Sequence, residues 1–301
     1  MKTAWQRLIR FVATDGRTLR GEPIMPSDEF DLGTTAEATQ LKARVIRGDD
    51  IYDTTGATSI TDEIVTVKKL LGPLTPADVP ILRCIGLNYL AHIRETGRPL
   101  PPCPVMFFKP ATAVHDHGAN VIIPKIAQDD QADYEGELCV IIGKDAKDVP
   151  AADALDYVAA YTVGNDISAR KLQLDPHLAG SMPQADFSKG FDSFAPLGPA
   201  LVSTRLVRDP AAELEPLTLR TTVGGEMRQE ASVADLAFSV QRLIAFLSCG
   251  TTLQKGSVIM TGTPGGIGSR MNPPRWLQPG TTVEVYISKI GTLRNGVEYQ
   301  T

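Results

Sequence analysis

Short runs in which hydrophobic and polar residues alternate cover much of the chain, a pattern that predicts many β-strands. Before residue 76, the runs RLIRFVA, TLRGEPI and ARVIRG predict three strands. Later strands are predicted at 81–86, 104–108, 120–123, 135–143, 157–164, 197–203, 217–223, 257–261 and 281–287. Gly224-Gly225 and Asn295-Gly296 predict hairpin turns, because such pairs accept the positive φ angles of two-residue loops.

Helical spacing is clear in one long segment. Apolar residues recur at this spacing from Val233 to Cys249, with Ser232 as the expected N-cap and Gly250 at the expected end. A shorter helix is predicted in AADALDYV. Because the strands outnumber the helices and do not alternate with them, the predicted fold class is mixed β (α+β).

The segment GPLTPADVP, residues 72–80, contains three prolines and no periodicity, which is typical of a linker. We therefore expect a small β-rich N-terminal domain at residues 1–75 and a larger domain at 76–301. The chain length of 301 residues is sufficient for both.

The composition is that of a globular protein with a substantial core, since 43% of the residues are hydrophobic and 22% are charged. The net charge of −5 and the lack of any basic run argue against a nucleic-acid partner. No apolar stretch approaches the ~20 residues of a membrane-spanning helix. We expect neither a nucleic-acid nor a membrane partner.

The four cysteines are widely spaced and form no C-x-x-C pair, which argues against a disulfide framework. Cys84, Cys139 and Cys249 lie in apolar runs and are expected to be buried. This usage favours a reducing compartment, and we expect a cytoplasmic protein without a signal peptide. A mitochondrial location is the alternative, although a first strand followed by Asp15-Gly16 is favoured over a targeting segment.

Two glutamates interrupt the apolar run DYEGELCVII. On a strand, Glu135 and Glu137 point to the same side, so their charges repel. A divalent cation would relieve this repulsion, and Gly136 between them would allow a close backbone approach. The alternative is an edge strand with two solvated glutamates.

Asp166 ends a second apolar run, at residues 157–163, where it can supply a third carboxylate. Three carboxylates without a His or Cys ligand favour Mg²⁺ or Mn²⁺ over Zn²⁺. Asp166 alone is a weak signal, because Asn-Asp also predicts a turn. His115 and His117 are not expected to bind a metal, since they lie in a polar, glycine-containing segment without a third ligand nearby.

His92 and Glu95 in NYLAHIRETG are spaced i, i+3, so on a helical turn they share a face. The carboxylate can then orient the imidazole and raise its basicity, making a general base for water. The alternative is an exposed helix with an incidental pair.

Lys189, between the aromatic residues of FSKGFDSFAPLGP, can neutralise a substrate carboxylate or an enolate oxygen. Arg170 and Gln173 follow Asp166 closely enough to face the same ligand. The segment IMTGTPGGIG offers backbone N–H groups for an anion-binding nest, but it fits neither the Walker A pattern nor G-x-G-x-x-G. An ordinary tight loop is the alternative.

Six segments in this order resemble the fumarylacetoacetate hydrolase superfamily over about residues 65–301: CIGLNYLAHIRETG, PVMFFKPATAV, DYEGELCVIIGK, YTVGNDISARKLQ, FSKGFDSFAPLGP and IMTGTPGGIG. The resemblance is strongest to the branch of acylpyruvases, fumarylpyruvate hydrolases, oxaloacetate decarboxylases and oxaloacetate tautomerases. Residues 1–64 fit only the loose small-domain pattern of longer members, and residues 177–187 correspond to a variable segment.

The resemblance implies a β-sandwich roll, a homodimer, bound Mg²⁺ or Mn²⁺, and a His–Glu dyad on a mobile lid. The matching residues are Glu135, Glu137 and Asp166 for the metal, His92, Glu95 and Lys189 for catalysis, and Arg170, Gln173 and Thr263 for substrate binding.

The leading hypothesis is hydrolysis of a C–C bond in an acylpyruvate-type 1,3-dicarbonyl acid through a metal-stabilised enolate. Decarboxylation or keto–enol tautomerisation of oxaloacetate, a 2-oxo acid, is the alternative. A non-enzymatic carboxylate-binding protein is disfavoured, because both His92 and Glu95 are present.

Overall fold

The computed structural model describes residues 2–301. In chain order, its strands are β1 (Arg7–Ala13), β2 (Thr18–Ile24), β3 (Lys42–Arg47), β4 (Ser59–Leu71), β5 (Leu82–Gly86), β6 (Val105–Lys109), β7 (Val114–Asp116), β8 (Val121–Ile123), β9 (Ala132–Asp133), β10 (Gly136–Ile142), β11 (Ala146–Lys147), β12 (Val158–Asn165), β13 (Ser168–Ala169), β14 (Ala195–Ser203), β15 (Thr218–Val223), β16 (Glu226–Ser232), β17 (Thr252–Leu253), β18 (Val258–Met260), β19 (Thr282–Ile287) and β20 (Gly291–Tyr299).

The α-helices are α1 (Leu90–Glu95), α2 (Arg170–Leu174), α3 (Pro176–Ala179), α4 (Ala185–Lys189) and α5 (Val240–Ser248). Short 3₁₀ helices cover Leu32–Thr34, Glu37–Thr39, Pro76–Asp78, Ala111–Ala113, Lys125–Ala127, Ala154–Tyr157, Val233–Asp235 and Gly268–Arg270. This preponderance of strands confirms the mixed α+β fold class.

Two large sheets form the framework. The larger has the strand order β2-β3-β4-β1-β14-β12-β10-β18-β5-β6, with β7 pairing with β14, and the smaller has the order β16-β15-β19-β20-β8. The short pairs β11-β17 and β13-β9 lie outside both. Every residue of β10, β12 and β14 is buried, because the larger sheet is covered on both faces at its centre.

The main hydrophobic core lies where the smaller sheet and α5 pack against the central strands. Gly136 at the start of β10 faces Thr221 of β15 and Val285 of β19, so the two sheets are in close contact beside the two glutamates. Leu243 and Leu247 of α5 are buried in this core, and burial of each such side chain stabilises the fold by roughly 1.5–3 kcal/mol.

The predicted strands are confirmed with boundary shifts of a few residues, and the Gly224-Gly225 hairpin joins β15 to β16 as expected. Strand β4 was not anticipated from the hydrophobic pattern. Its burial does not alternate cleanly, and charged residues recur along it.

The prediction of one helix from Val233 to Cys249 is wrong. A 3₁₀ turn ends at Asp235, and α5 begins only at Val240. Between them, Asn88 accepts hydrogen bonds from Ala237 N (2.7 Å, to its carbonyl) and Phe238 N (2.8 Å, to its side chain), which hold this stretch extended. Ser232 therefore caps only the 3₁₀ turn, and Ser239 caps α5. Tertiary hydrogen bonds have overridden helical periodicity.

The predicted hairpin at Asn295-Gly296 is also wrong. Both residues lie within β20 and pair with Val283 and Thr282 of β19. The Asn295 amide donates to the carbonyls of Asp116 and Ala119, both at 2.9 Å, so it fastens a neighbouring loop to the sheet. The short helix predicted in AADALDYV is a single 3₁₀ turn.

Cys84 and Cys139 are buried as expected, but Cys249 is exposed, because it follows α5 at the surface.

The segment 72–80 contains no strand, and β1 pairs with β14, so the larger sheet includes strands from both sides of this segment. The division into domains at residues 1–75 and 76–301 remains a prediction. None of the helices within residues 2–301 has the length and apolarity needed to cross a bilayer.

Candidate active site

The register of β10 and β12 brings two distant carboxylates together. The strands are antiparallel, with Gly136 opposite Asn165. Just beyond this pair, Asp166 N donates to Glu135 O at 2.8 Å, and Glu135 N donates to Asn165 Oδ1 at 3.0 Å. Glu135 and Asp166 therefore lie side by side at the same end of the strand pair.

Glu135, Glu137 and Asp166, here called the carboxylate triad, each offer an oxygen within 4.8 Å of the other two. All three are buried, with 8%, 1% and 0% of their surface exposed. Within residues 2–301, no other group of three or more His, Cys, Asp or Glu side chains converges in this way. The solvated edge-strand alternative is thus excluded.

Two lysines lie against the triad. Lys189, the last residue of α4, donates to Glu135 Oε2 at 2.8 Å and to Asp166 Oδ2 at 2.6 Å. Lys109, the last residue of β6, donates to the other oxygen of Asp166 at 2.5 Å and to two backbone carbonyls. Both lysines are buried, so these charges interact with little screening by water.

The charges are unevenly balanced across the triad. Burial raises the pKa of Glu135, but Lys189 and Arg170 outweigh it and hold that pKa at about 2. Burial, Asp166 and Glu135 together raise the pKa of Glu137 well above its ordinary value. Glu137 accepts a hydrogen bond from Gly262 N at 2.7 Å. It makes no ion pair with any residue of the described part of the chain, and a cation bound at the triad would favour its charged form.

Arg170 and Gln173 both lie on α2 near the triad. Arg170 donates to Glu135 Oε1 at 2.5 Å, to Gln173 Oε1 at 3.0 Å and to Asp133 Oδ2 at 2.9 Å. Burial lowers the pKa of the guanidinium, but Glu135 and Asp133 raise it by more, so Arg170 stays charged. The structure therefore unites these two residues with Glu135.

His92 and Glu95 form the expected pair on α1, with His92 Nδ1 2.8 Å from Glu95 Oε2. His92 is buried, whereas about a third of the Glu95 side chain is exposed. In the tautomer in which Nδ1 donates to Glu95, Nε2 is the ring nitrogen that can accept a proton. The pair is thus a structured dyad rather than an incidental surface contact.

Residues 261–267, here called the glycine-rich loop, connect the dyad to the triad. Gly262 N donates to Glu137, and Gly266 N donates to Glu95 Oε1 at 3.3 Å. Thr263 Oγ1 donates to Gly136 O at 3.0 Å and accepts from Gln229 Nε2 at 2.8 Å. In this arrangement the Thr263 hydroxyl fixes the loop to β10, and its predicted contact with substrate remains a prediction.

Three further buried residues complete the site without having been singled out in the sequence. Lys109 binds Asp166, Asp133 binds Arg170, and Gln229 joins Gly136 to the glycine-rich loop. Lys109 and Asp133 lie within the family-like segments PVMFFKPATAV and DYEGELCVIIGK, and each adjoins an apolar run, which was a usable signal. Gln229 has no local signal.

The two histidines of the HDH segment play no part in this cluster. His115 Nε2 lies 2.8 Å from Asn120 O, and His117 Nδ1 accepts from Arg294 N at 3.3 Å. Burial lowers the pKa of His117 to about 4, so it is neutral near pH 7. Neither belongs to a group of converging metal ligands within residues 2–301.

Comparison with known proteins places this geometry in a family. The chain is 36% identical to caffeoylpyruvate hydrolase of Neonothopanus nambi over 99% of its own length and 95% of that protein. It is 38% identical to the oxaloacetate tautomerase YisK of Bacillus subtilis over 76% of its length and 73% of that protein. A crystal structure of 2-hydroxyhepta-2,4-diene-1,7-dioate isomerase from Mycobacterium marinum superposes with a TM-score of 0.74 at 32% identity, covering 98% of this chain and 99% of that one.

The family model for the C-terminal region of fumarylacetoacetate (FAA) hydrolase matches residues 82–298, a span that contains the triad, the dyad, both lysines and the glycine-rich loop. This confirms the resemblance found in the sequence. The chain belongs to the fumarylacetoacetate hydrolase family.

Proposed function

We propose that this protein is a divalent-metal-dependent hydrolase that cleaves the C–C bond of an acylpyruvate-type 1,3-dicarbonyl acid. The observation that carries the proposal is the glycine-rich loop, which contacts the carboxylate triad through Gly262 and the His92–Glu95 dyad through Gly266. One short segment thereby contacts both the group proposed to hold a cation and the pair proposed to activate water. The likeness to a caffeoylpyruvate hydrolase over almost the whole chain supports the same reaction class.

The triad fits a small hard cation. All of its ligand atoms are carboxylate oxygens, which Mg²⁺ and Mn²⁺ prefer. Opposite ligands of an octahedral Mg²⁺ lie about 4.2 Å apart, given metal–oxygen distances of about 2.1 Å. The triad oxygens lie within 4.8 Å of one another, and both oxygens of Glu135 and of Asp166 accept hydrogen bonds from buried cationic side chains, so a bound ion would take the place of some of these contacts. We propose Mg²⁺ or Mn²⁺ held by Glu135, Glu137 and Asp166.

A cation held by Glu135, Glu137 and Asp166 would supply positive charge to stabilise the negative charge that develops on the 2-oxo oxygen of the substrate. Lys189 adds an ammonium group at the same place, because its Nζ lies against both Glu135 and Asp166. Preorganised charge of this kind typically lowers a barrier by ~3–4 kcal/mol. A divalent cation bound at the triad would add its charge to those of Lys109, Lys189 and Arg170, and together they would accommodate the substrate carboxylate.

The dyad supplies the nucleophile. Glu95 holds the Nδ1 proton of His92, and Nε2 takes a proton from water. The resulting hydroxide adds to the distal carbonyl, and the bond between that carbon and C3 breaks. Its electron pair passes to C3 and the 2-oxo group as the enolate of pyruvate, and the proton that Nε2 took from water is then returned to C3. The products are pyruvate and a carboxylic acid.

A second function shares this enolate. The 38% identity to an oxaloacetate tautomerase over 76% of the chain favours proton transfer at C3 of oxaloacetate as the alternative. In that case the dyad moves a proton and no water adds. Decarboxylation of oxaloacetate would require the same stabilised enolate.

We further propose that the protein is a homodimer and that it is located in the cytoplasm or in mitochondria.

A substrate panel tests the proposal. Purified protein with Mg²⁺ or Mn²⁺ is mixed with acetylpyruvate, fumarylpyruvate, caffeoylpyruvate or oxaloacetate, and diketone absorbance, CO₂ release and the keto–enol ratio are followed together. We expect loss of diketone absorbance with stoichiometric pyruvate. Turnover of oxaloacetate alone would replace the leading function with the alternative.

The Glu137→Gln variant should lose metal-dependent turnover, and Glu298→Gln, which changes an exposed glutamate on β20, should retain it. Full activity of the wild type in chelator-treated buffer would contradict the metal site.

A further inference from the structure

Asp133, the last residue of β9, is a fully buried carboxylate with an unusual number of donors around it. Its Oδ1 accepts from Tyr134 N at 3.0 Å and from Gly268 N at 2.8 Å. Its Oδ2 accepts from Arg170 Nε at 2.9 Å and from Ser269 N at 3.1 Å.

The Arg170 guanidinium donates hydrogen bonds both to Asp133 and to Glu135 of the triad. Its Nε is held by Asp133, and its terminal nitrogen donates to Glu135 Oε1 at 2.5 Å. Glu135 therefore presents its other oxygen, Oε2, toward Lys189 and the rest of the triad. A guanidinium suits this task because it is planar and bonds at fixed angles, whereas an ammonium is a point charge.

Asp133 also fixes the chain just beyond the glycine-rich loop, through Gly268 N and Ser269 N at the 3₁₀ turn. One carboxylate thus joins the segment that contacts Glu137 and Glu95 to the arginine that orients Glu135. All four donors are N–H groups, and each Asp133 oxygen accepts from two of them. An asparagine would keep one acceptor oxygen, but its NH₂ group would face two N–H donors and could bond neither.

We propose that Asp133 is a positioning residue for the metal site, acting through Arg170 on Glu135 and holding the glycine-rich loop in register with it. This inference rests on the proposed function, since it assumes that the triad binds a divalent cation. Outer partners of metal ligands of this kind typically change metal affinity by ~10–100-fold when they are removed.

The test is Mn²⁺ affinity without substrate, measured by electron paramagnetic resonance or calorimetry on the full chain. Asp133→Asn should weaken Mn²⁺ binding at least ~10-fold. Asp130→Asn is the matched control, because Asp130 lies three residues earlier, is exposed and accepts a hydrogen bond from Gln278. This variant should bind Mn²⁺ as the wild type does. The melting temperature of each variant is recorded alongside.

A second pair of variants separates positioning from a merely structural role. Arg170→Lys keeps the positive charge but cannot hold Asp133, Glu135 and Gln173 together. It should therefore weaken Mn²⁺ binding about as much as Asp133→Asn does. This variant keeps the inference testable if Asp133→Asn does not fold. In the Arg170→Lys background, adding Asp133→Asn should weaken Mn²⁺ binding by less than it does in the wild-type background, because the path through Arg170 is already broken and only the contacts with the glycine-rich loop remain.

Wild-type Mn²⁺ affinity in Arg170→Lys, or in a folded Asp133→Asn, would overturn this inference and leave the proposed function standing. An equal ~10-fold loss from Asp133→Asn in both backgrounds would also overturn it, since Asp133 would then act independently of Arg170. If the wild type itself binds no Mn²⁺, the proposed function and this inference fail together.

Discussion

Replacement of Gly136 by alanine tests whether the close approach of the two sheets holds the glutamates in place. An added methyl group would overlap Thr221 Oγ1 and lie 2.9 Å from Val285 Cγ1 and 3.3 Å from Gln229 Oε1. Ordinary carbon–carbon contacts are about 3.5–4.0 Å. Thr and Val are stiff at χ1, so rotation cannot relieve the overlap, and either β10 or the smaller sheet must shift.

Overpacking of this kind typically costs ~1–3 kcal/mol. Since three neighbours are affected at once, we expect Gly136→Ala to lower the free energy of unfolding by about 3 kcal/mol. It should also weaken Mn²⁺ binding, because any shift of β10 moves the flanking Glu135 and Glu137. Urea unfolding followed by circular dichroism, with linear extrapolation to water, measures the first effect.

A compensating variant makes the explanation specific. Thr221 Oγ1 is buried and has no hydrogen-bond partner among the described residues, so Thr221→Ala alone should be within about 1 kcal/mol of the wild type. In the double variant it should recover about 1–2 kcal/mol of the loss. Gly86→Ala is the control, because its methyl group would meet Val105 at 3.9 Å. Wild-type stability of Gly136→Ala, or no recovery in the double variant, would refute the reasoning.

Three other changes probe the dyad, the lysine and a buried histidine. His92→Ala should lower kcat by ~10²–10⁴-fold and leave Mn²⁺ affinity unchanged, and an equal loss of affinity would refute the dyad assignment. Lys189→Met should lower kcat/KM by ~10²–10³-fold, and wild-type kinetics would remove Lys189 from the site. His117 has a folded pKa of about 4 against an ordinary 6.5, so its contribution to stability is complete above pH 6.5 and is lost as the pH falls toward 4. From pH 7 to pH 5, the wild type should therefore lose about 2 kcal/mol of unfolding free energy relative to His117→Asn, and parallel pH profiles of the two would contradict this.

The strands and most of the candidate site followed from local signals. Alternating polarity marks a strand wherever one face is buried, and the spacing of Glu135 and Glu137 alone places both on one side of β10. The pairing of Asp166 with Glu135 could not be predicted from local spacing, because it depends on the register between β10 and β12. The family resemblance supplied that information, and the spacing did not.

Three of the errors share one physical cause, which is contact with residues far away in the chain. Periodicity from Val233 to Cys249 could not reveal that Asn88, far away in the chain, holds residues 237–238 extended. Likewise, the Asn295 side chain bonds a neighbouring loop rather than its own turn. Gln229 was overlooked for the same reason. It lies on β16 of the smaller sheet, and only the packing of the two sheets brings it into contact with Gly136 and Thr263.

The most direct measurement of the central claim is a crystal structure with Mn²⁺, in which anomalous scattering locates the ion. The account predicts a single strong anomalous peak coordinated by oxygens of Glu135, Glu137 and Asp166, and no such peak in the Glu137→Ala variant. A peak elsewhere, or no peak with the three carboxylates turned away from one another, would contradict it.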